Sequence, residues 1–142
     1  MTNTEHYYNK VKEFHYAFNC AVCTRLADAP RSLAELRLAL ILEEFKEYEE
    51  ATSLVERLDA ICDMIYVTAG ALITYNIPVS PYSSKLIYEK AHMPDFLSSV
   101  SLVRNALHDD LLCVKKLHLY LNALLKDLDD SFDETHTKRD AF

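Results

Sequence analysis

Acidic side chains are concentrated in one segment of this chain, residues 43–63. The segment holds eight carboxylates and two basic side chains, so it carries most of the net charge of −7. Apolar residues are interspersed with the acids throughout, and a carboxylate that such neighbours bury needs a compensating partner. The carboxylates are Glu43, Glu44, Glu47, Glu49, Glu50, Glu56, Asp59 and Asp63. Clustered oxygen ligands of this kind predict a site for a hard divalent cation.

The spacing of six of these acids places them on the faces of two helices. They are Glu43, Glu44 and Glu47 on the first helix, and Glu56, Asp59 and Asp63 on the second. Separations of three, four and seven residues bring side chains to one helix face. About two residues join the helices, so we expect an antiparallel hairpin whose facing carboxylates repel each other unless a cation lies between them. Carboxylates alone favour Mg²⁺ or Mn²⁺.

Simpler interpretations compete with metal binding for some of these acids. A charge cluster can be a solvated helix face, and we expect Glu49 and Glu50 to lie on the surface. Glu56 is either a metal ligand or the partner of Ser53 in a capping box, in which the two side chains satisfy backbone N–H groups at a helix start.

The elements that carry these residues are predicted to be all α-helical, in a single domain of about five helices. One glycine in 142 residues argues against a sheet protein with many tight turns. A capping box at Ser32–Glu35 is expected to open the second helix, and Asn76 to end the third in a left-handed conformation. Predicted helices cover 4–20, 32–51, 54–75, 80–91 and 96–130, the last as one helix or as two broken near 108–110, and a mobile tail follows at 131–142.

The predicted core spans about residues 4–93, and 96–130 form a C-terminal helical extension. On the first helix an apolar stripe at three- and four-residue steps is expected to face this core. The stripe consists of Tyr8, Val11, Phe14 and Phe18.

Composition also excludes several classes of protein. The acidic balance, with no basic stripe, argues against a nucleic-acid partner. The longest uncharged run contains prolines and predicts no membrane span. The N-terminal sequence MTNTEHYYNK has no apolar secretory region, so we expect a cytoplasmic protein. Cys20 and Cys23 form the only C-x-x-C, and without a second pair at zinc spacing we expect reduced thiols.

An ordered set of motifs makes the chain similar to a known family. Phe14-His15 with Phe18, Leu36-Arg37 through Glu43-Glu44, and Asp59 through Gly70 follow one another in the chain. This set resembles the all-α nucleotide pyrophosphohydrolases of the MazG and phosphoribosyl-ATP pyrophosphohydrolase superfamily, and is most similar to the short phage and bacterial type. The resemblance covers about residues 8–93.

The resemblance implies hydrolysis of a nucleoside triphosphate, commonly a deoxynucleotide, to the monophosphate and pyrophosphate. The sequence does not name the base, and a purine nucleotide such as dGTP is one candidate. Metal ions would neutralise the phosphates while water attacks the α-phosphorus. By position, Glu44, Glu47 and Asp63 match metal ligands, and Glu43 matches the acid that orients or deprotonates the water. Ala60 replaces a family Glu, so Asp59 is expected to substitute for it, with Glu56 in an outer role.

Substrate contacts are less determined by the sequence. Arg37, Lys46 and Lys90 are candidates for phosphate contact, with surface ion pairing as the alternative. His15 and Asn19 are candidates for the base, while Phe14 and Phe18 fit either a base pocket or the core. His92 occupies the place of an Asn in the family motif that follows the fourth helix.

Two other functions remain open on the sequence. One is a non-enzymatic helical module whose acidic face binds a basic partner. The other is a di-iron carboxylate bundle, which needs two Glu-x-x-His motifs, whereas only Glu89–His92 fits. Whatever its function, we expect the chain to form a homodimer or homotetramer. The second helix is apolar on nearly every side and needs to be covered, and proteins of the family that the chain resembles form dimers or tetramers.

Overall fold

The structure, a computed structural model, describes residues 2–18, 31–79, 97–108 and 114–140. Within these ranges the chain forms five α-helices and no strand, which confirms the all-α prediction. The helices are α1 (Asn3–Ala17), α2 (Arg31–Glu50), α3 (Leu54–Thr74), α4 (Leu97–His108) and α5 (Val114–Asp140). The fourth helix predicted from sequence, at 80–91, lies outside the described residues.

The third helix is the centre of the bundle. Every residue of α3 from 67 to 74 is buried, and α1, α2 and α5 all pack against this helix. Burial of its Leu, Ile and Val side chains supplies the main driving force for the assembly, at about 25 cal/mol per Å² of apolar surface. α3 therefore holds the side chains of three other helices in fixed positions around it.

A capping box joins α2 to α3, as the sequence predicted. Ser53 is the N-cap of α3, and its hydroxyl accepts a 3.1 Å hydrogen bond from the Glu56 backbone N–H. The Glu56 carboxylate in turn accepts a 3.0 Å bond from the Thr52 N–H. The box predicted at Ser32 does not open α2, because the helix already includes Arg31. Residues 51–53 are the whole connection, so α2 and α3 pack as an antiparallel hairpin.

The end of α3 also follows the prediction. Asn76 has a φ of 55°. The Ile77 N–H bonds to the Leu72 carbonyl at 2.8 Å and the Asn76 N–H bonds to Ile73 at 3.0 Å, the pattern of a Schellman motif. Asn122 of α5 then donates a 3.2 Å bond to the Pro78 carbonyl. This bond fixes the direction in which the chain leaves α3.

The first helix is rotated relative to the sequence prediction. Its buried residues are Thr4, Val11 and His15, whereas Phe14 is 40% exposed and Phe18 is 67% exposed. The expectation that both Phe side chains belong to the core stripe is therefore wrong. α1 meets α3 along the face of Val11 and His15 and leaves the aromatic side chains at its margin. Periodicity identified the apolar residues, but it could not fix the rotation of the helix.

The C-terminal helices belong to the core. α4 packs against α5, so residues 96–130 form two helices and not a single continuous one. Residues 109–113, between the two helices, are not among the described residues. Leu121, Leu124, Leu125 and Leu128 of α5 are fully buried, so the core is not confined to residues 4–93. The prediction that the last helix ends near residue 130, before a mobile tail, is wrong. α5 continues to Asp140, and Ser131 is buried.

A buried carboxylate ties α5 to the N-terminal helix. Asp129 is 4% exposed and accepts a 2.8 Å hydrogen bond from the Tyr7 hydroxyl and a 3.3 Å bond from the Asn3 amide. Burial and this carboxylate raise the pKa of Tyr7, so the phenol remains a donor at physiological pH. The contact joins α1 to α5.

The structure bears on membrane spanning and on one of the four cysteines. Within the described ranges, no helix is both long and apolar enough to cross a membrane. Cys62 is a free thiol on an exposed residue. The pKa of this thiol is raised by its partial burial and by the negative charges of Asp63 and Asp59. The other three cysteines lie outside the described residues.

Candidate metal and substrate site

Three carboxylates from two helices converge at one point of the hairpin. Glu44 and Glu47 extend from α2 and Asp63 from α3, and one oxygen of each lies within 4.8 Å of the others. Glu44 and Asp63 are half-buried, and Glu47 is exposed. Oxygen ligands of one divalent cation, at about 2.0–2.6 Å from it, are at most about 5 Å apart. The three residues therefore could hold a metal ion.

The electrostatics of these acids favour a cation. Glu44 Oε2 is buried, and among the described residues it has no hydrogen-bond partner. The pKa of Glu44 is raised from 4.5 to about 7 by burial first, and then by its hydrogen bond to Glu47 and by the charges of Glu47, Asp63 and Glu43. Burial, Asp59 and Glu47 likewise raise the pKa of Asp63. A divalent ion would offset the free-energy cost of these ionised carboxylates, because it would bind Glu44 Oε2 and neutralise the repulsion between the acids.

The other predicted acids surround this group without joining it. Glu43 is exposed, and its charge reaches Glu44. Asp59 is exposed one turn before Asp63, and its charge reaches that carboxylate. Glu56 lies exposed at the start of α3, where its carboxylate accepts the Thr52 N–H. Lys46 points to solvent and pairs with Glu50 at 3.9 Å.

Two of the predicted substrate residues meet at Gly70 of α3. A Cβ atom placed on Gly70 would lie 3.0 Å from Arg37 Nη1 and 3.3 Å from His15 Nε2. His15 is 2% exposed and Arg37 is half-buried, so α1, α2 and α3 contribute to one polar cluster. The sequence analysis named Arg37 as a candidate for phosphate contact and His15 as a candidate for the base, but it did not indicate that the two side chains would lie together. Asn19, Lys90 and His92, the remaining substrate candidates, lie outside the described residues.

Phe14 and Phe18, which the sequence analysis named for a base pocket or the core, form an exposed aromatic group with Tyr66, which it did not name. The Phe14 ring lies 4.5 Å from that of Phe18 and 5.7 Å from that of Tyr66, which it meets edge to face. Tyr66 is 42% exposed and follows Asp63 by three residues, so both lie on the same face of α3. That spacing was the available signal. Only the rotation of α1 brings the Phe14 ring against this face.

The structure is thus an all-α bundle whose central hairpin carries three convergent carboxylates that could hold a divalent metal ion. The family model for phosphoribosyl-ATP pyrophosphohydrolase matches residues 11–90, more than half of the chain. The chain belongs to this family, and with it to the MazG-like superfamily of all-α nucleotide pyrophosphohydrolases. It is therefore a hydrolase that acts on acid anhydrides. Comparisons with curated proteins and with solved structures gave no match.

Proposed function

We propose that this protein hydrolyses a nucleoside triphosphate to the monophosphate and pyrophosphate, with a deoxynucleotide such as dGTP as substrate. Water attacks the α-phosphorus, the bond from this phosphorus to the bridging oxygen breaks, and pyrophosphate leaves with that oxygen. The observation that carries the proposal is the convergence of Glu44, Glu47 and Asp63 within 4.8 Å, inside the segment that matches the family. The choice of substrate rests on the resemblance of the motifs.

Each acid has a role in this proposal. Glu44, Glu47 and Asp63 hold Mg²⁺ or Mn²⁺, which when bound neutralises phosphate charge and lowers the pKa of water. Glu43, exposed beside Glu44, accepts the proton of the attacking water. Asp59 supports the site from one turn away on α3.

Glu56 has a smaller part, although it was also a candidate ligand. Its carboxylate is engaged by the backbone N–H of Thr52, so we assign it to the helix start. An outer role at the metal site would require that hydrogen bond to break.

The substrate lies along the face of α3 that carries Asp63, Tyr66 and Gly70. The exposed ring of Tyr66, with Phe14 against its edge, offers a surface on which a base can stack. Arg37 supplies a cation for phosphate oxygens, and His15 lies beside it. Asn19, Lys90 and His92 are further candidates for contact with the nucleotide, whereas Lys46 pairs with Glu50 on the exposed surface of α2.

We also propose a homodimer or homotetramer with the nucleotide near a subunit interface. Large apolar side chains remain exposed in the described bundle, and a second subunit would cover them. They are Phe14, Tyr16, Phe18, Leu36, Val55 and Tyr66. Light scattering coupled to size exclusion tests this, and a fully active 16.3 kDa monomer would contradict it. A nucleotide substrate fits a cytoplasmic location, in the host cytoplasm if a phage encodes the protein, and we propose no nucleic-acid partner.

A panel of the eight common triphosphates with Mg²⁺ and with Mn²⁺, assayed for pyrophosphate, tests the proposed reaction. Glu44→Gln should abolish turnover of the best substrate, and Glu49→Gln, an exposed change on the same helix, is the matched control. If no triphosphate yields pyrophosphate, or if Glu44→Gln retains turnover, the proposal fails.

Neither alternative function has comparable support. A di-iron centre needs histidine ligands, and the group of Glu44, Glu47 and Asp63, the candidate metal group among the described residues, contains none. A non-enzymatic binding module does not fit a chain that belongs to a pyrophosphohydrolase family. Iron analysis of the purified protein and the effect of Mg²⁺ on melting separate the three functions.

A further inference from the structure

Gly70 occupies a position where the backbone does not require glycine. It is the single glycine of the chain, it lies buried in the interior of α3, and its φ is not positive. In such a position glycine is less favourable than alanine, because it loses more conformational freedom on folding. The reason for a glycine at this position must therefore be the space that a side chain would fill.

Two side-chain tips occupy that space. Arg37 Nη1 would lie 3.0 Å from a Cβ at Gly70, and His15 Nε2 would lie 3.3 Å from it. Both distances are shorter than an ordinary van der Waals contact, so a methyl group would displace the guanidinium by a few tenths of an ångström. The displaced atoms are the ends of side chains rather than backbone, and the helices themselves need not move.

The position of this cluster along the hairpin relates it to the acids. Arg37 precedes Glu44 by seven residues on α2, and Gly70 follows Asp63 by seven residues on α3. Seven residues are two helical turns, about 10.5 Å at a rise of 1.5 Å per residue. Because the two helices are antiparallel, Arg37 lies at the level of Gly70 along the hairpin, and Glu44 lies at the level of Asp63. The guanidinium is thus held about two turns from the carboxylates, on the same side of the hairpin.

We propose that Gly70 is a positioning residue, whose missing side chain seats the Arg37 guanidinium beside the His15 imidazole so that Arg37 binds phosphate oxygens remote from the attacked phosphorus. This inference rests on the proposed function. A guanidinium binds phosphate through a planar fork of N–H donors, and its affinity depends on orientation. The contact between Arg37 and α3 fixes that orientation before the substrate binds.

The test is Gly70→Ala, with KM and kcat measured on the best triphosphate and melting measured alongside. We expect KM to rise about tenfold, the effect of weakening one hydrogen bond to a charged group, while kcat stays within about twofold. Melting should be unchanged or higher, since alanine favours the helix. Ala69→Ser is the matched control, because it adds one heavy atom at the neighbouring buried position and should leave KM unchanged.

A double-mutant cycle with Arg37→Ala shows whether Gly70 acts through Arg37. In the Arg37→Ala background the closer of the two side chains is gone and only the His15 imidazole remains beside Gly70. Gly70→Ala should therefore not raise KM further and should raise the melting temperature more than it does in the wild type. An unchanged KM in Gly70→Ala, or an equal rise in both backgrounds, would overturn the proposal. If the wild type hydrolyses no triphosphate, the proposed function fails, and equal melting shifts in the two backgrounds would then overturn the seating of Arg37.

Discussion

Glu44 of α2 and Asp63 of α3 face each other across the hairpin, with carboxylate oxygens no more than 4.8 Å apart. The charge of Asp63 is one of the causes that raise the pKa of Glu44 to about 7, after burial and Glu47. Two half-buried acids in this position oppose folding unless a cation or a proton is shared with them. The predictions below follow from that relationship and from the contacts around it.

A divalent ion should stabilise the protein and be required for its activity. Because the ion binds the folded site and not the unfolded chain, Mg²⁺ at about a hundredfold excess over its dissociation constant should add about 2.7 kcal/mol to the free energy of unfolding. Calorimetry with and without EDTA measures this. Ca²⁺ should not replace Mg²⁺ or Mn²⁺ in turnover, because its larger radius changes the geometry at the phosphate. Equal turnover in EDTA would be incompatible with a metal site.

Single removal of the metal acids should separate stability from activity. Glu44→Gln, Glu47→Gln and Asp63→Asn should each abolish pyrophosphate release while the fold survives. The metal-free melting temperature should be unchanged or higher, because each change removes part of the repulsion. Glu49→Gln, on the exposed surface of the same helix, should leave turnover and melting close to those of the wild type. An essential Glu49 with a dispensable Asp63 would show that the assigned face is wrong.

Asp59 and Glu56, both exposed on the first turns of α3, should differ in what their loss affects. Asp59→Asn should lower turnover, because it removes a negative charge beside Asp63 that would help to attract the cation. Glu56→Ala should instead cost about 1 kcal/mol of stability through the lost cap, with kcat nearly unchanged. Steady-state kinetics and urea unfolding of both variants measure the difference. The assignment of Glu56 to the cap fails if its loss stops turnover at full stability.

The stability of the metal-free protein should fall as pH rises from about 4.5 to about 7. The pKa of Glu44 is raised from its usual 4.5 to about 7 in the folded state, so in this window the folded protein binds more protons than the unfolded chain. The free energy of unfolding therefore decreases with pH over this range and is flat above it as far as Glu44 is concerned. Urea unfolding in EDTA across this range measures the slope, and Glu44→Gln should reduce it. A slope that Glu44→Gln leaves intact must come from other groups.

Tyr7→Phe should destabilise the bundle without affecting the site. The change removes the 2.8 Å hydrogen bond to the buried Asp129 carboxylate and leaves that acceptor with the longer bond from Asn3. Hydrogen bonds to charged groups contribute about 1.5–3 kcal/mol, and thermal unfolding should show a loss of that order. Tyr16→Phe, at an exposed position of the same helix, is the control and should be nearly silent. A normal melting temperature for Tyr7→Phe would show that the link between α1 and α5 contributes little.

Local chemistry in the sequence determined the hairpin and its ends. The Ser53–Glu56 box begins α3 and the left-handed Asn76 ends it, since both depend on neighbouring backbone groups only. The three- and four-residue spacing of the acids likewise determined which of them share a helix face. These features need no information about other helices, and a single sequence was sufficient to predict them.

The tertiary structure decided which side chains of different helices contact each other. Which acids converge, how α1 is rotated so that His15 is buried and Phe14 is not, and why Gly70 lies beside Arg37 all depend on packing between helices distant in sequence. Periodicity gives the relative angles of side chains on one helix, but the rotation of that helix against α3 is set by the summed burial of every contact. α5 shows the same limit, because the polar sequence after residue 130 concealed a helix whose inner face, at Ser131, is covered by the bundle.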